Sequence, residues 1–129
     1  LRLKAEGFAV DAEARAALLP GLLDCLGDPN PALRDGIAFE ALSSWMRAAQ
    51  LDAADLRGMK PRLLAQLQAE DPQGVARPFA ALVLAELSRT DRIAPWLEAA
   101  EREALVDAAV DYLAGVRDYR GFEPGIGWR

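Results

Sequence analysis

The strongest constraint on how this chain folds is that it repeats itself. The stretch LPGLLDCLGDPNPALRDGIAFEAL at 19–42 is echoed by KPRLLAQLQAEDPQGVARPFAALVLAEL at 60–87. Pro20 and Pro61 stand 41 positions apart, while the Asp28-Pro29 and Asp71-Pro72 pairs, and the arginines Arg34 and Arg77, stand 43 apart. Two residues inserted in the turn of the second unit account for the drift. A period in the low forties is that of a helix pair stacked unit on unit. Ala, Leu, Glu and Arg dominate, and no alternating run of Val, Ile, Thr or Tyr suggests a strand. An all-α chain follows.

Local rules then place the helices. Asp11 is an N-cap for a helix over 12–26, with Leu18, Leu19, Leu22 and Leu26 on one side. Asp52 plays the same part for a helix over 53–68. Pro20 and Pro61 each fall nine residues after these caps, where a missing N–H predicts a kink. Gly27 and the run DPNP stop the first helix; Asn30 caps the second and Pro31 opens it. That helix is expected to reach Ala49, with Leu33, Ile37, Ala38, Ala41, Leu42, Trp45 and Met46 toward a core. Its counterpart, over 75–88, presents Val75, Phe79, Leu82, Val83 and Leu87, with Pro78 tolerated in the first turn. TDRIAPWLEAA reads as a connector with one helical turn. A fifth helix, over 99–116, presents Ala104, Leu105, Ala108, Tyr112 and Leu113, and Gly115 frays its end.

Five helices in antiparallel pairs, with a proline inside the first helix of each unit, resemble the HEAT class of helical repeat. That resemblance implies a ladder in which a turn acid meets a basic residue early in the next helix: Asp28 with Arg34, and Asp71 with Arg77. The expected fold is an all-α, HEAT-like α-solenoid, a right-handed superhelix of about two and a half helix pairs. It forms a single helical-repeat domain over 1–129, with an N-terminal extension at 1–10 and a C-terminal turn segment at 117–129. An unpaired fifth helix leaves one face open, so the domain is expected to continue past Arg129.

Three stretches, LRDGIAFEALSSWM (33–46), GVARPFAALVLAEL (74–87) and YLAGVRDYRGFEPGIGW (112–128), are together similar to a bacterial family, domain of unknown function 2785. Its matching signatures are Leu-Arg-Asp before an apolar helix, an aromatic-x-Arg-x-Phe helix start, and Asp-x-Arg-Gly-aromatic followed by Gly-Trp. The similarity runs from about Asp11 onward in family terms. Val75 stands where the family has an aromatic, and Pro78 where a small polar residue is common. The resemblance implies a further helix carrying His-x-x-Ala-His-x-Ala-Asp after Gly-Trp, and no assigned activity.

Composition narrows the function. The chain carries 15 Lys and Arg against 20 Asp and Glu, a net charge of −5. A phosphate backbone is repelled by that average field, so no nucleic-acid partner is expected. The longest apolar run, 79–85, falls far short of the roughly 20 residues that cross a bilayer, and no signal peptide opens the sequence. No membrane partner is expected. A lone cysteine, Cys25, suits a reducing, cytoplasmic setting. There is no histidine, which removes the commonest general base and zinc ligand. Without a phosphate loop, nucleophile elbow or cysteine cluster, no metal and no cofactor is expected.

Six residues stand out as groove or turn candidates. Arg34 and Asp35 sit at a helix start, where the ladder and the helix dipole explain them; their functional alternative is a groove-lining pair for an anion. Arg77 divides in the same way. Asp118 and Arg120 flank a turn in which Gly121 supplies a positive φ, with Arg120 bridging to Asp118 or to a carbonyl ending the fifth helix. Trp128 is expected to pack on the last helix or on the further helix expected after it. Trp45 reads as core, Trp96 as a staple for the connector, Cys25 as a small buried hydrophobe, and Glu98, Glu101 and Glu103 as a solvated helix start. The leading function is a helical-repeat binding or scaffold module that takes a protein partner on a concave face lined by the second helices. The alternative is an enzyme or metal-dependent protein whose site, near Asp118, is completed by residues beyond 129.

Overall fold

The computed structural model describes residues 4, 7–117 and 119–128. Five helices carry the fold. Helix α1 (Ala12–Cys25) opens where the Asp11 carboxylate accepts the Ala14 N–H at 2.8 Å. Helix α2 occupies 31–47 in three consecutive segments: an α turn (Pro31–Leu33) capped by Asn30, a π segment (Arg34–Phe39) and an α segment (Glu40–Arg47). In the π segment the Glu40 N–H reaches the Asp35 carbonyl five residues back. Such wide turns are rare and are found disproportionately at functional sites. Helix α3 (Ala53–Gln68) starts with a reciprocal capping box between Asp52 and Asp55. Helix α4 (Ala76–Ile93) is capped from the preceding turn: the Asp71 carboxylate accepts the N–H of Val75 at 3.3 Å and of Arg77 at 2.9 Å. Helix α5 (Ala99–Gly115) has a box between Glu98 and Glu101. Helices α1 and α3 run through Pro20 and Pro61.

Among the described residues no strand forms; a single bridge pairs Glu123 with Gly127. Helix α4 runs five residues beyond its expected end, and the connector shrinks to 94–98. Nothing in SRTDRI breaks a helix, whereas Pro95 forces Ala94 to be extended (φ −138°, ψ 91°). Helix α2 stops one turn after Trp45 in a Schellman-type cap: Gln50 N–H bonds the Trp45 carbonyl at 2.9 Å, with Ala49 at φ 54°.

Helices α1 to α4 make the core. Leu19, Leu22, Leu23 and Leu26 from α1 and its end meet Ala38, Ala41, Leu42, Trp45 and Met46 from α2. Leu56, Met59, Leu63 and Leu67 from α3 meet Phe79, Ala80, Val83, Leu84 and Leu87 from α4. The Trp45 indole N–H reaches the carbonyl of Phe8, tying the N-terminal segment to α2 at 2.9 Å. Cys25 is half-buried against the core, and burial pushes its thiol pKa upward, helped by Asp28 and Asp24. Two expected core residues, Leu18 and Leu82, are exposed. Each lies to the side of the i, i+3, i+4 row that its helix buries.

Side chains join each unit to the next. Arg62 pairs with Asp24 at 2.6 Å, Arg47 with Glu86 at 2.7 Å, and the Gln66 amide donates to the Leu23 carbonyl at 2.8 Å. Helix α5 is attached differently. It buries no residue fully; Leu105, Ala108 and Tyr112 are half-buried, while Ala104 and Leu113 face solvent. Its start is held by Glu101, which meets Arg57 at 2.6 Å and Lys60 at 2.8 Å. The Arg57 hydrogen bond foremost, then the Glu98 amide and Lys60, hold the Glu101 carboxyl at about 2. Glu101 is thus a ligand for two cations rather than part of a solvated helix start.

Candidate functional site

The repeated arginines occupy equivalent places. Arg34 has no exposed surface. Its Nη1 donates to the backbone carbonyl of Asp28 at 2.9 Å, and its guanidinium lies over the Phe79 ring, 4.9 Å from the centroid. Arg77 donates from Nε to the Leu67 carbonyl at 2.7 Å and lies over the Tyr112 ring at 5.1 Å. Each arginine therefore ties the end of the preceding helix to an aromatic ring of the next unit. The expected acid–base ladder is corrected in its atoms. The Asp28 carboxylate is engaged by the Asn30 N–H at 2.8 Å, and Asp71 caps α4 through backbone N–H groups. Turn carboxylates beside free amides cap first, which leaves the carbonyls for arginine. Asp35 is exposed while its neighbour Arg34 is buried, so the two do not line one groove.

The segment after α5 runs back across these turns. Arg120 Nη2 donates to the carbonyl of Gln73 in the α3–α4 turn at 3.2 Å, rather than to the end of the fifth helix. Gly121 takes φ 70°, as expected. Glu123 and Gly127 close a tight turn through N–H···O bonds of 3.0 and 2.7 Å. The carbonyl of Ile126 then accepts from Arg34 Nη2, with that of Trp128 at 3.5 Å. Trp128 is 63% exposed and tilts against Phe122 at 5.4 Å. Asp118 lies outside the described residues. Arg34, Arg77, Arg120 and Trp128 thus share the turn end of the molecule, and each of the three arginines donates to a carbonyl of the chain's own backbone.

A second feature lies between α4 and α5. The α4–α5 connector is locked by Asp91, which is buried at 6% exposure. Its carboxylate accepts the N–H of Trp96 and of Leu97, each at 2.8 Å, and Arg102 Nε at 2.6 Å. The Arg102 bond foremost, with the two amides, holds this carboxyl well below the usual range although burial opposes it. The Trp96 indole donates to Thr90 Oγ1 at 3.0 Å, confirming its place as a staple. Beyond this lock the two helices part around an apolar groove of about 440 Å³. Ala81, Leu84 and Ala85 wall it on one side and Leu105, Val106 and Leu113 on the other. At its far end Tyr112 also borders a polar pocket of about 110 Å³ beside Asp71, Arg77 and Arg117. Burial raises the Tyr112 phenol above its ordinary value, with Arg77 opposing.

None of the five described sequence candidates, Arg34, Asp35, Arg77, Arg120 and Trp128, lines the groove. Its signal lies in α5, whose apolar residues cover too much of the helix for one interface. Leu105, Ala108 and Tyr112 face inward, while Val106, Ala109, Val110 and Leu113 form a second stripe at i, i+3, i+4, i+7. Val106, Val110 and Leu113 are 61%, 57% and 70% exposed.

Taken together, fold and surface define an all-α protein of five helices among the described residues, with an apolar groove beside its last helix. No group of three or more metal-ligating side chains is found among the described residues, and no helix is long and apolar enough to cross a membrane. The chain belongs to the family described as Protein of unknown function (DUF2785), which it matches over residues 63–129. That span holds the second and third of the family-like stretches and leaves 33–46 outside it. No curated protein and no solved structure matches the chain.

Proposed function

We propose that this protein is a HEAT-like helical-repeat binding module, a short right-handed α-solenoid that takes a cytoplasmic protein partner in the groove between α4 and α5. The carrying observation is that groove. Contiguous exposed apolar surface on a folded chain marks a place of contact, and Val106, Val110 and Leu113 supply it beside a wall of small α4 residues. The repeat of about forty residues and the side-chain ties between successive units support the solenoid reading. The surface favoured is the groove beside α5 rather than a face made by the second helices alone.

The test uses the double substitution Val106→Glu, Leu113→Glu. Both residues are largely exposed, so the circular dichroism spectrum and unfolding midpoint should be unchanged. Affinity capture with the wild type should enrich a defined partner, and the double variant should lose it. Capture of nothing above background by the wild type, or equal capture by both, overturns the reading.

A further inference from the structure

The apolar groove between α4 and α5 ends at the polar pocket, and Tyr112 lines both. Asp71 and Arg77 border the pocket from the start of α4, and Val116 and Arg117 from the end of α5. Its charged groups are thus two arginines and one carboxylate. The carboxylate is occupied, since Asp71 accepts the N–H of Val75 and of Arg77. The arginines are only partly used. Arg77 gives Nε to the Leu67 carbonyl and its face to the Tyr112 ring, which leaves the in-plane Nη donors. Arg117 is exposed and gives Nη1 to the carbonyls of Ala114 and Val116, which end α5. Neither arginine makes a further hydrogen bond or an ion pair with a described residue.

An apolar trough that ends on two arginines fits an occupant with an apolar body and an anionic end. Two features decide its kind. On the trough wall Val106 and Leu113 are 61% and 70% exposed, so an occupant keeps one side in water. An alkyl chain would leave that side apolar and wet, whereas small-ligand sites bury most of what they hold. A peptide segment with its apolar side chains on one face turns its polar face outward. The second feature is that the chain itself bridges this end of the groove. It leaves α5 after Gly115, and by Arg120 it has reached the α3–α4 turn, with Nη2 on the Gln73 carbonyl at 3.2 Å. A segment lying in the groove therefore stops at the pocket instead of running through.

We infer that the occupant is the C-terminal segment of a partner protein, with its apolar face on Leu84, Val106 and Leu113 and its terminal carboxylate between Arg77 and Arg117. This rests on the groove being the binding surface. Hydrogen bonds from guanidinium to carboxylate are about twice as strong as neutral ones, so the pocket supplies specificity where the trough supplies apolar contact. It also sets the direction of the segment, which runs toward the C-terminal end of α5. A reversed segment would have to pass the bridged end and would leave both arginines without their anion.

Two synthetic peptides of one sequence test it, with leucines on one face and glutamines on the other. One ends in a free carboxylate and the other in an amide. Each is labelled at its N-terminus and titrated by fluorescence anisotropy. The carboxylate form should bind at least about fivefold tighter at low ionic strength, and high salt should shrink that preference. Arg117→Gln should bring the ratio close to one. Arg92→Gln removes the same charge from an exposed site in the last turn of α4, and should leave the ratio unchanged. Val106→Glu, Leu113→Glu should weaken both peptides together. Equal binding of the two peptides, or equal loss of the preference in the two arginine variants, overturns the carboxylate assignment and leaves the groove reading standing. Binding of neither peptide, or binding that survives Val106→Glu, Leu113→Glu, overturns both. Displacement of the labelled carboxylate peptide by a fatty acid at lower concentration than by its own unlabelled form makes a lipid the occupant, and also overturns the inference.

Discussion

A guanidinium with no exposed surface is stable only where its donors find acceptors, because an arginine does not shed its charge on burial. Arg34 places Nη1 on the carbonyl of Asp28 from its own unit and Nη2 on that of Ile126 from the far end of the chain, and its guanidinium lies over the face of Phe79. Arg34→Met removes bonds to a charged donor and strands the carbonyls it served, so unfolding in urea should show a loss of about 3 kcal/mol. Arg34→Lys should recover little of it, since one ammonium cannot span carbonyls lying in different directions. Arg77→Met, at a half-buried position with one carbonyl partner, should cost about 1 kcal/mol. Asp91 makes a prediction in pH. Its carboxyl is held below its unfolded value by Arg102 and two amides. It therefore stabilises the fold above about pH 4, where the unfolded carboxyl is ionised, and this contribution fades as the pH falls below that value. Asp91→Asn should be less stable than wild type at neutral pH, by urea unfolding, and the gap should narrow steadily below about pH 4. A gap that is constant with pH would show that the ionised form is not what locks the connector.

The elements differ in how firmly they are held, and the difference has a cause in side-chain type. Helices α3 and α4 share interdigitated leucines, a phenylalanine and a methionine, whereas α5 rests on three half-buried residues, the Asp91–Arg102 lock and the Glu101 pairs. Salt-exposed pairs hold weakly compared with buried apolar area. In native-state hydrogen exchange the α5 amides should open at lower free energy than those of α3 and α4, and 0.5 M salt should widen that difference. Equal protection in all three helices would contradict it. Much of this layout was legible in the sequence, because caps and period are local chemistry: Asp11, Asn30 and Asp52 mark their helices and Gly121 its turn. Other parts were hidden for a physical reason. A π segment at Arg34–Phe39 leaves no mark in apolar spacing, since its residues satisfy α and π patterns alike. The partners of Arg34 and Arg77 proved to be carbonyls, which sequence does not display. The groove depends on which of the two apolar stripes of α5 finds a neighbour, and that is a property of the packed molecule.

At the scale of the whole molecule, a stack of helix pairs would unfold piecemeal, each unit leaning only on its neighbours. This chain adds a contact of another kind. The return segment crosses the second turn at Gln73 and reaches the first at Arg34, joining residues 92 positions apart. Gly127 is where it lands. Its φ is 88°, and a Cβ built there would stand 3.0 Å from Arg34 Nη2 and 3.2 Å from Pro31 Cβ. Gly125 has a similar φ of 83° but open space around it. Comparing the two substitutions by alanine separates backbone strain from docking. Gly125→Ala should cost about 1 kcal/mol through conformation alone. Gly127→Ala carries the same strain and also lifts the segment off the first unit, so it should cost about 2–3 kcal/mol. It should also change the shape of unfolding. With the tie in place, the first unit and the return segment are lost together in one transition. With it broken, amides of α1 and the start of α2 should exchange well before those of α3 and α4, and the urea transition should broaden with a lower m-value. If both alanine variants lose the same stability and keep the wild-type m-value, the return segment does not couple the ends of the molecule.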